Sequence, residues 1–535
     1  MLRWMSLLLL SPAFVSLAMA GAIHPGSGEK LAAQQIFRYD IGAEPPSIDP
    51  QVVEDVSGNE IANDLFETLV LLDANGNVIP GAATHWESNA DRNLFTFHLR
   101  QQAKWSNGDP VTAHDFVYAW RRSVDPALAS PQAGYMALMS VKNADAVQRG
   151  KLPLKALGVR ALDDYTLQVE LDDSIAYFPR MLIAATTAPV NRRVIEQWGD
   201  DWTRPGHMVG NGAYVLTEHK LNERLVRERN PLYWDNENTH IDKVVALVIG
   251  DQNQAYNRYQ AGELDKTNVP TGLFRRLKKE RPTETHSDPL LCSYYFYVNV
   301  KKPPLDDVRV RQALAYAIDR DIITRNILQA GQIPAYSFTP GATADFSVPD
   351  VPFARMSQKQ RDQKARQLLE SAGFNRSHPL TVSILYNTSE GHKKIAIAIS
   401  QMWKQKLGVK IKLENQEWKT FLSTRKQGDF EIARSGWCGY YNEPSAFLNL
   451  LAADSEYNDS NYRNARIDTL LKQAKKTSQP APLYQQIEQI IAQDFPIIPI
   501  YHYTSVILLK PDIRGWPFEN VQNIWYSKNL YRIAQ

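Results

Sequence analysis

The chain has 535 residues, 44% of them hydrophobic, a formal net charge of +2 and two cysteines. Lysines and arginines are scattered along it, which gives no support to nucleic-acid binding, where a basic face is required. Beyond the N-terminus no stretch approaches the ~20 apolar residues that cross a bilayer, so no membrane insertion is expected.

In chain order, Arg3 opens a positively charged start, Met5 to Val15 is largely apolar, and Ala18-Met19-Ala20 is an A-x-A site. This pattern predicts a cleaved secretory signal over 1–20, with cleavage after Ala20 and export of the mature chain. No cysteine follows the site, which argues against a lipid-anchored start. The remaining chain, about 515 residues, exceeds what one hydrophobic core supports and predicts two or three domains. In an oxidising compartment Cys292 and Cys438 are expected to form a disulfide, with two free buried thiols as the alternative. The bridge would close a loop of roughly 150 residues, worth up to ~5 kcal/mol in the chain-entropy model.

Ile36 to Ile41 reads as a strand, broken at Glu44-Pro45-Pro46. Ile61, Leu65 and Leu69 fall at helical spacing and predict a helix from Asn59 to Leu71. Phe95 to Arg100 alternates as a half-buried strand, and Thr112 with Asp115 forms a capping box for a helix through Trp120. The basic run Arg275 to Arg281 reads as a solvated helix face. Leu380 to Tyr386, His392 to Leu407 and Val409 to Leu413 read as strand, helix and strand, with Gly408 ending the helix. Such an order predicts a βαβ crossover.

The densest stretch runs from Ala433 to Pro444, with Arg434, Gly436, Trp437, Cys438, Gly439, Tyr440 and Tyr441. A strand end packed into a core is the plain reading. Arg434 resists it, because a buried guanidinium needs a partner. The aromatics supply stacking area with polar tips, the usual lining of a small-molecule pocket. The glycines allow close backbone approach or a positive φ. Arg425 and Arg434 flank the strand leading into this stretch, and either can pair with a carboxylate. His392 falls in the first turn of its helix, where free N–H groups favour an anion. No nucleophile elbow, zinc-binding H-E-x-x-H, phosphate loop or dinucleotide fingerprint is present. The eleven histidines and two cysteines show no metal-ligand spacing. No cofactor and no metal are expected.

Five stretches, in order, carry a resemblance: Lys104 to Phe116, Asn211 to Tyr214, Asn230 to Trp234, Asp307 to Leu314, and Ala433 to Pro444. Together they resemble the periplasmic oligopeptide-binding proteins of ABC transporters, extracellular solute-binding protein family 5. The resemblance implies an α/β, two-lobed periplasmic binding protein fold of the Venus-flytrap type (type II), with an additional third domain. It implies a discontinuous first lobe (21–66, 191–291 and 508–535), an inserted second domain (67–190) and a third lobe (292–507). A monomeric receptor would close on a peptide or small-molecule ligand and dock on a membrane ABC permease, without catalysis.

The matching histidine and arginines, His392, Arg425 and Arg434, receive the peptide carboxylate in that family. Glu54, Val56, Asn268, Trp418, Gly436, Trp437, Cys438, Tyr440 and Tyr503 fall at ligand-side positions. The chain departs at Tyr440, where the family places the aspartate that holds the peptide amine. Gln132 also stands where peptide binders carry an aromatic. Burying an ammonium without its counter-charge costs several kcal/mol, against ~8 kcal/mol for a whole micromolar complex. The expectation is therefore an amine-free, anionic, amphipathic solute such as a bile acid or modified peptide. An ordinary oligopeptide or cell-wall-peptide receptor, with Glu54 in the aspartate's role, is the alternative, and an exported hydrolase is a remote one.

Overall fold

The computed structural model describes residues 22–175, 177–344, 346–477 and 479–534. The expected signal segment lies outside the described residues.

A mixed sheet of eleven strands forms the spine of the described residues. At one end lies the expected crossover, with strands Thr381–Asn387 and Lys410–Gln416 parallel on either side of helix Glu390–Leu407. The helix buries Ile395, Ile399, Met402 and Trp403, and it ends at Gly408 with φ 71°. Next come Ile432–Cys438, parallel to Thr381–Asn387, and then Thr285–Val298, antiparallel to Ile432–Cys438. The other half contains Lys266–Asn268, Ile36–Asp40, Lys243–Leu247, Arg224–Arg229 and Tyr214–Lys220 in that order.

Two long antiparallel strands join the halves, Thr285–Val298 and Ile497–Leu509. Thr285 to Pro289 pair with Leu508 to Thr504 on one side, and Ser293 to Tyr297 pair with His502 to Ile497 on the other. Between Pro289 and Ser293 the register breaks. Pro289 has no N–H to give the ladder, so the connection between the halves is weakest there. Just beyond the break Cys292 and Cys438 face each other across neighbouring strands, and a disulfide joins them with Cα atoms 4.0 Å apart.

A separate four-stranded antiparallel sheet holds Ala83–Ser88, Leu94–Leu99, Thr166–Glu170 and Val159–Asp163. Leu94–Leu99 alternates between half-buried and buried, as its sequence does. Helix Ala113–Ser123 opens with the expected box, in which the Thr112 N–H donates to Asp115 Oδ2 at 2.8 Å. The basic run lies mainly on helix Phe274–Glu280, where only Leu277 is buried.

The helix expected over Asn59 to Leu71 is corrected. It spans Val56–Leu65, and Val70–Leu72 is a strand. Glu67 accounts for the break. Its backbone exchanges two hydrogen bonds with the Asn211 side chain, each 2.9 Å, and its carboxylate accepts from Tyr233 and from Trp234 Nε1. Those partners, more than 140 residues away, outweigh the local helical period. Asn211 from one motif, and Tyr233 and Trp234 from the next, thus pack together around Glu67.

Candidate functional site

Strand Ile432–Cys438 organises the site because side chains alternate across it. Ile432, Arg434 and Gly436 face one side of the sheet together with their cross-strand partners Val298, Phe296 and Tyr294. Ala433, Ser435 and Trp437 face the other.

On the first face Arg434 is buried. Its Nη2 donates to the Tyr503 hydroxyl at 2.9 Å and its Nη1 to Asn387 Oδ1 at 3.3 Å. Among the described residues no carboxylate pairs with it, and its Nε has no partner. A Cβ on Gly436 would stand 3.0 Å from the Tyr503 hydroxyl, so the glycine is there for close approach. His392, third residue of helix Glu390–Leu407, lies 5.6 Å from Tyr294 between ring centroids. Burial, reinforced by the Arg434 charge, holds its pKa well below the ordinary value and keeps it neutral. A fixed cation beside a neutral imidazole, in a half-dry setting, is suited to a ligand carboxylate.

The same helix start reaches the opposite half of the sheet. Lys394 Nζ donates to Thr271 O at 3.3 Å, three residues beyond Asn268, which is exposed at its strand end. The start of helix Glu390–Leu407 is thus packed against the segment that follows strand Lys266–Asn268.

On the second face the chemistry differs. Arg425, on helix Trp418–Lys426, forms an ion pair with Asp459 at 2.7 Å, and its Nη1 donates to Ser435 Oγ at 3.3 Å. Its charge is already answered. Nearby, Tyr440 packs edge-on against Trp437 at 5.8 Å and against Tyr135 at 5.7 Å. Burial, with the carboxylates of Asp55 and Glu54 close by, pushes its hydroxyl up to about 12. Gln132 and Asn59 stand beside that hydroxyl, and Tyr457 donates to Gln132 Oε1 at 2.9 Å.

Asp55 caps helix Val56–Leu65 by accepting from Gly58 N at 3.1 Å, and Trp418 adds a hydrogen bond. Burial nevertheless pushes its carboxyl up to about 7. Glu54 is solvent-accessible at its tip, yet the surrounding protein raises its pKa, with Arg425 opposing. Val56, at the helix start, is 62% exposed.

The structure thus gathers nine of the expected residues around two faces of one strand, and leaves Val56 and Asn268 outside both groups. Arg434, His392, Gly436 and Tyr503 form one group, and Glu54, Trp418, Arg425, Trp437 and Tyr440 form the other. Cys438 is held in the disulfide. Asp459, Asn387 and Tyr457 were not singled out from the sequence. They lie 34, 47 and 325 residues from the groups they meet, Arg425, Arg434 and Gln132, and no local pattern announces such pairs.

Among the described residues there is no cluster of three metal-ligating side chains, and no helix is long and apolar enough to cross a membrane.

Residues 77–459 match the family model for bacterial extracellular solute-binding proteins, family 5. The chain is 44% identical to the periplasmic oligopeptide-binding protein OppA of Salmonella typhimurium, over 97% of each chain. It is 41% identical to the probable deoxycholate-binding periplasmic protein YgiS of Escherichia coli, over 97% of this chain and 98% of that one. The structure of the Escherichia coli murein tripeptide binding protein MppA superposes with a TM-score of 0.93 at 42% identity, covering 94% of this chain and 100% of the other. Against the unliganded open form of MppA the TM-score is 0.70 at the same 42% identity, over 95% of this chain and 99% of that one. Equal identity with unequal superposition separates lobe arrangement from sequence distance. The two-lobed α/β fold and these matches converge: the chain belongs to the bacterial extracellular solute-binding proteins of family 5 and is a solute-binding receptor.

Proposed function

We propose that this receptor works in the periplasm, closes its lobes on one carboxylate-bearing solute and presents it to a membrane ABC permease. The lobes are read as 21–66 with 191–291 and 508–535, against 292–507, with 67–190 as an inserted domain. Binding is stoichiometric, without turnover. The observation that carries the reading is the buried Arg434 guanidinium with no carboxylate partner among the described residues and with neutral His392 beside it. Leaving such a charge uncompensated is costly, and an anionic ligand end relieves it. The rest of the ligand is an apolar body that runs past the end of strand Ile432–Cys438 to reach Trp437 and Tyr440 on its other face, with no free amine, because residue 440 offers a phenol and not a carboxylate. Deoxycholate, named for one relative, is of this chemistry.

A second reading has its own support. Asp55 and Glu54 lie close to Tyr440, and Asp55 has no cationic partner among the groups acting on it. That pair supplies a counter-charge for an unmodified peptide amine, and relatives named for oligopeptides and for murein peptides exist at 44% and 42% identity.

Native mass spectrometry of protein purified from the periplasm, followed by identification of the released ligand, separates the readings. A single amine-free carboxylate supports the first. A ladder of unmodified short peptides overturns it in favour of the second. Failure of Tyr440→Asp to improve the binding of any unmodified tripeptide would also count against the first.

A further inference from the structure

The inserted segment 67–190 is tied to the first lobe by a buried ion pair, Arg122 Nη2 to Asp49 Oδ2 at 2.6 Å, and by the Gln51 side-chain amide donating to Ala188 O at 3.0 Å. Besides the Tyr135–Tyr440, Gln132–Tyr457 and Gln148–Glu456 contacts, it touches the third lobe at two further places through side chains that are not among the proposed ligand residues. Tyr177 stacks on Tyr441 with ring centroids 5.5 Å apart and planes 14° apart, and its hydroxyl lies 3.2 Å from Ser445 Oγ. Ser445 is in turn fixed by Glu443, whose carboxylate accepts from the Ser445 N–H at 2.7 Å. Lys475 Nζ donates to Ser140 Oγ at 2.9 Å and lies 3.5 Å from Asp173 Oδ2. Its side chain is 19% exposed and that of Asp173 29%, so the pair is partly shielded from water.

The register break between Pro289 and Ser293 interrupts the ladder of the two connecting strands, which leaves a point for rotation between the halves. Rotation there carries 67–190 with the first lobe and separates Tyr177 from Tyr441 and Asp173 from Lys475. Both contacts join side chains of the two segments directly, one by ring stacking with a hydroxyl pair and one by an ion pair, so they are made when the segments are together and lost when they part.

We propose that Tyr177 and Lys475 form a clasp that holds part of the ligand-free population closed, so that this receptor's affinity is set partly by residues that never touch the solute. The proposal rests on the lobe division given above, but it makes no assumption about what the ligand is. Apparent affinity scales with the fraction of protein already in the binding-competent state. Loss of a clasp therefore weakens all ligands by one common factor.

The test needs no ligand. Spin labels at Lys151→Cys and Lys472→Cys, both exposed, report the distance between the two segments by pulsed dipolar spectroscopy in the ligand-free full chain. The wild-type background is expected to show a short-distance population. Tyr177→Phe with Lys475→Met is expected to reduce the closed-to-open ratio about tenfold, the sum of one hydrogen bond and one partly shielded ion pair. The swap Asp173→Lys with Lys475→Asp is expected to recover part of the closed population relative to Lys475→Asp alone. Thermal unfolding of each variant establishes that it folds, and Lys475→Met alone serves if the double variant does not. An exclusively long distance in the ligand-free wild-type background overturns the clasp, as does an unchanged population in the variants. Neither result bears on the Arg434 reading, which the released ligand decides.

Discussion

Arg425 and Arg434 enter from the same stretch of chain, one on the helix before strand Ile432–Cys438 and one within it. Their fates differ. Arg425 meets Asp459 at 2.7 Å and touches Ser435 on one face of the strand. Arg434 lies on the other face among Tyr294, Tyr503 and Asn387, with no carboxylate among the described residues. The strand's period of two turns Arg434 to one face and its neighbour Ser435 to the other, where helix Trp418–Lys426 brings Arg425 against it. The paired guanidinium belongs to the scaffold, and the proposed function assigns the anionic ligand end to the unpaired one. The lesson is that the partner, and not the residue type, distinguishes a structural arginine from a binding one.

Both arginines depend on the strand being held in place, and the largest expected effect tests that. Reduction of the Cys292–Cys438 bridge, or Cys292→Ser with Cys438→Ser, is expected to cost about 4 kcal/mol of stability, given the long loop it closes. Guanidinium unfolding with and without reductant measures it. A loss below about 1 kcal/mol would mean that the strand pairing alone holds the segment.

Arg434→Met sharpens the contrast directly. Binding of the native ligand is expected to fall at least ~100-fold, about 3 kcal/mol, while the unfolding midpoint stays level or rises. Calorimetric titration and a thermal melt together test this, and a large fall in stability would show that Arg434 is structural after all.

Asp459→Asn runs the other way. It strands the Arg425 charge and is expected to destabilise the fold by about 2–3 kcal/mol, somewhat less than for a fully buried pair because Arg425 retains 19% side-chain exposure. Ligand affinity, measured on the folded fraction, is expected to change far less than in Arg434→Met. Comparable losses of affinity would erase the distinction between the two arginines.

The smallest effect concerns His392. With a folded-state pKa well below the unfolded one, the imidazole is neutral in both states above about pH 7, and the unfolded state alone gains a proton as pH falls through ~6.5. Its contribution to stability is therefore complete at neutral pH and declines on acidification. Affinity is expected to stay flat from about pH 7 to pH 8, and His392→Asn to weaken binding by about 1 kcal/mol. A titration showing tighter binding on acidification through pH 7 would identify a charged imidazole instead.

Local pattern carried much of the architecture. The alternation at Leu94–Leu99, the Thr112 and Asp115 box, and the strand-helix-strand unit ending at Gly408 each depend on contacts within a few residues, and each appears as read. The helix over Asn59 to Leu71 failed at Glu67, where Asn211, Tyr233 and Trp234 claim the backbone and carboxylate from far away.

What the sequence by itself determined was the set of local periods and caps and the residues available to a binding site; it favoured the pairing of the two cysteines, which the structure shows. Which arginine is left without a carboxylate, and what surrounds Tyr440, only the tertiary structure decided. Asp459, Asn387, Gln132 and Asp55 reach those groups from distant segments. Charge compensation is settled at contact distance, and contact between distant segments has no signature in a local stretch of sequence.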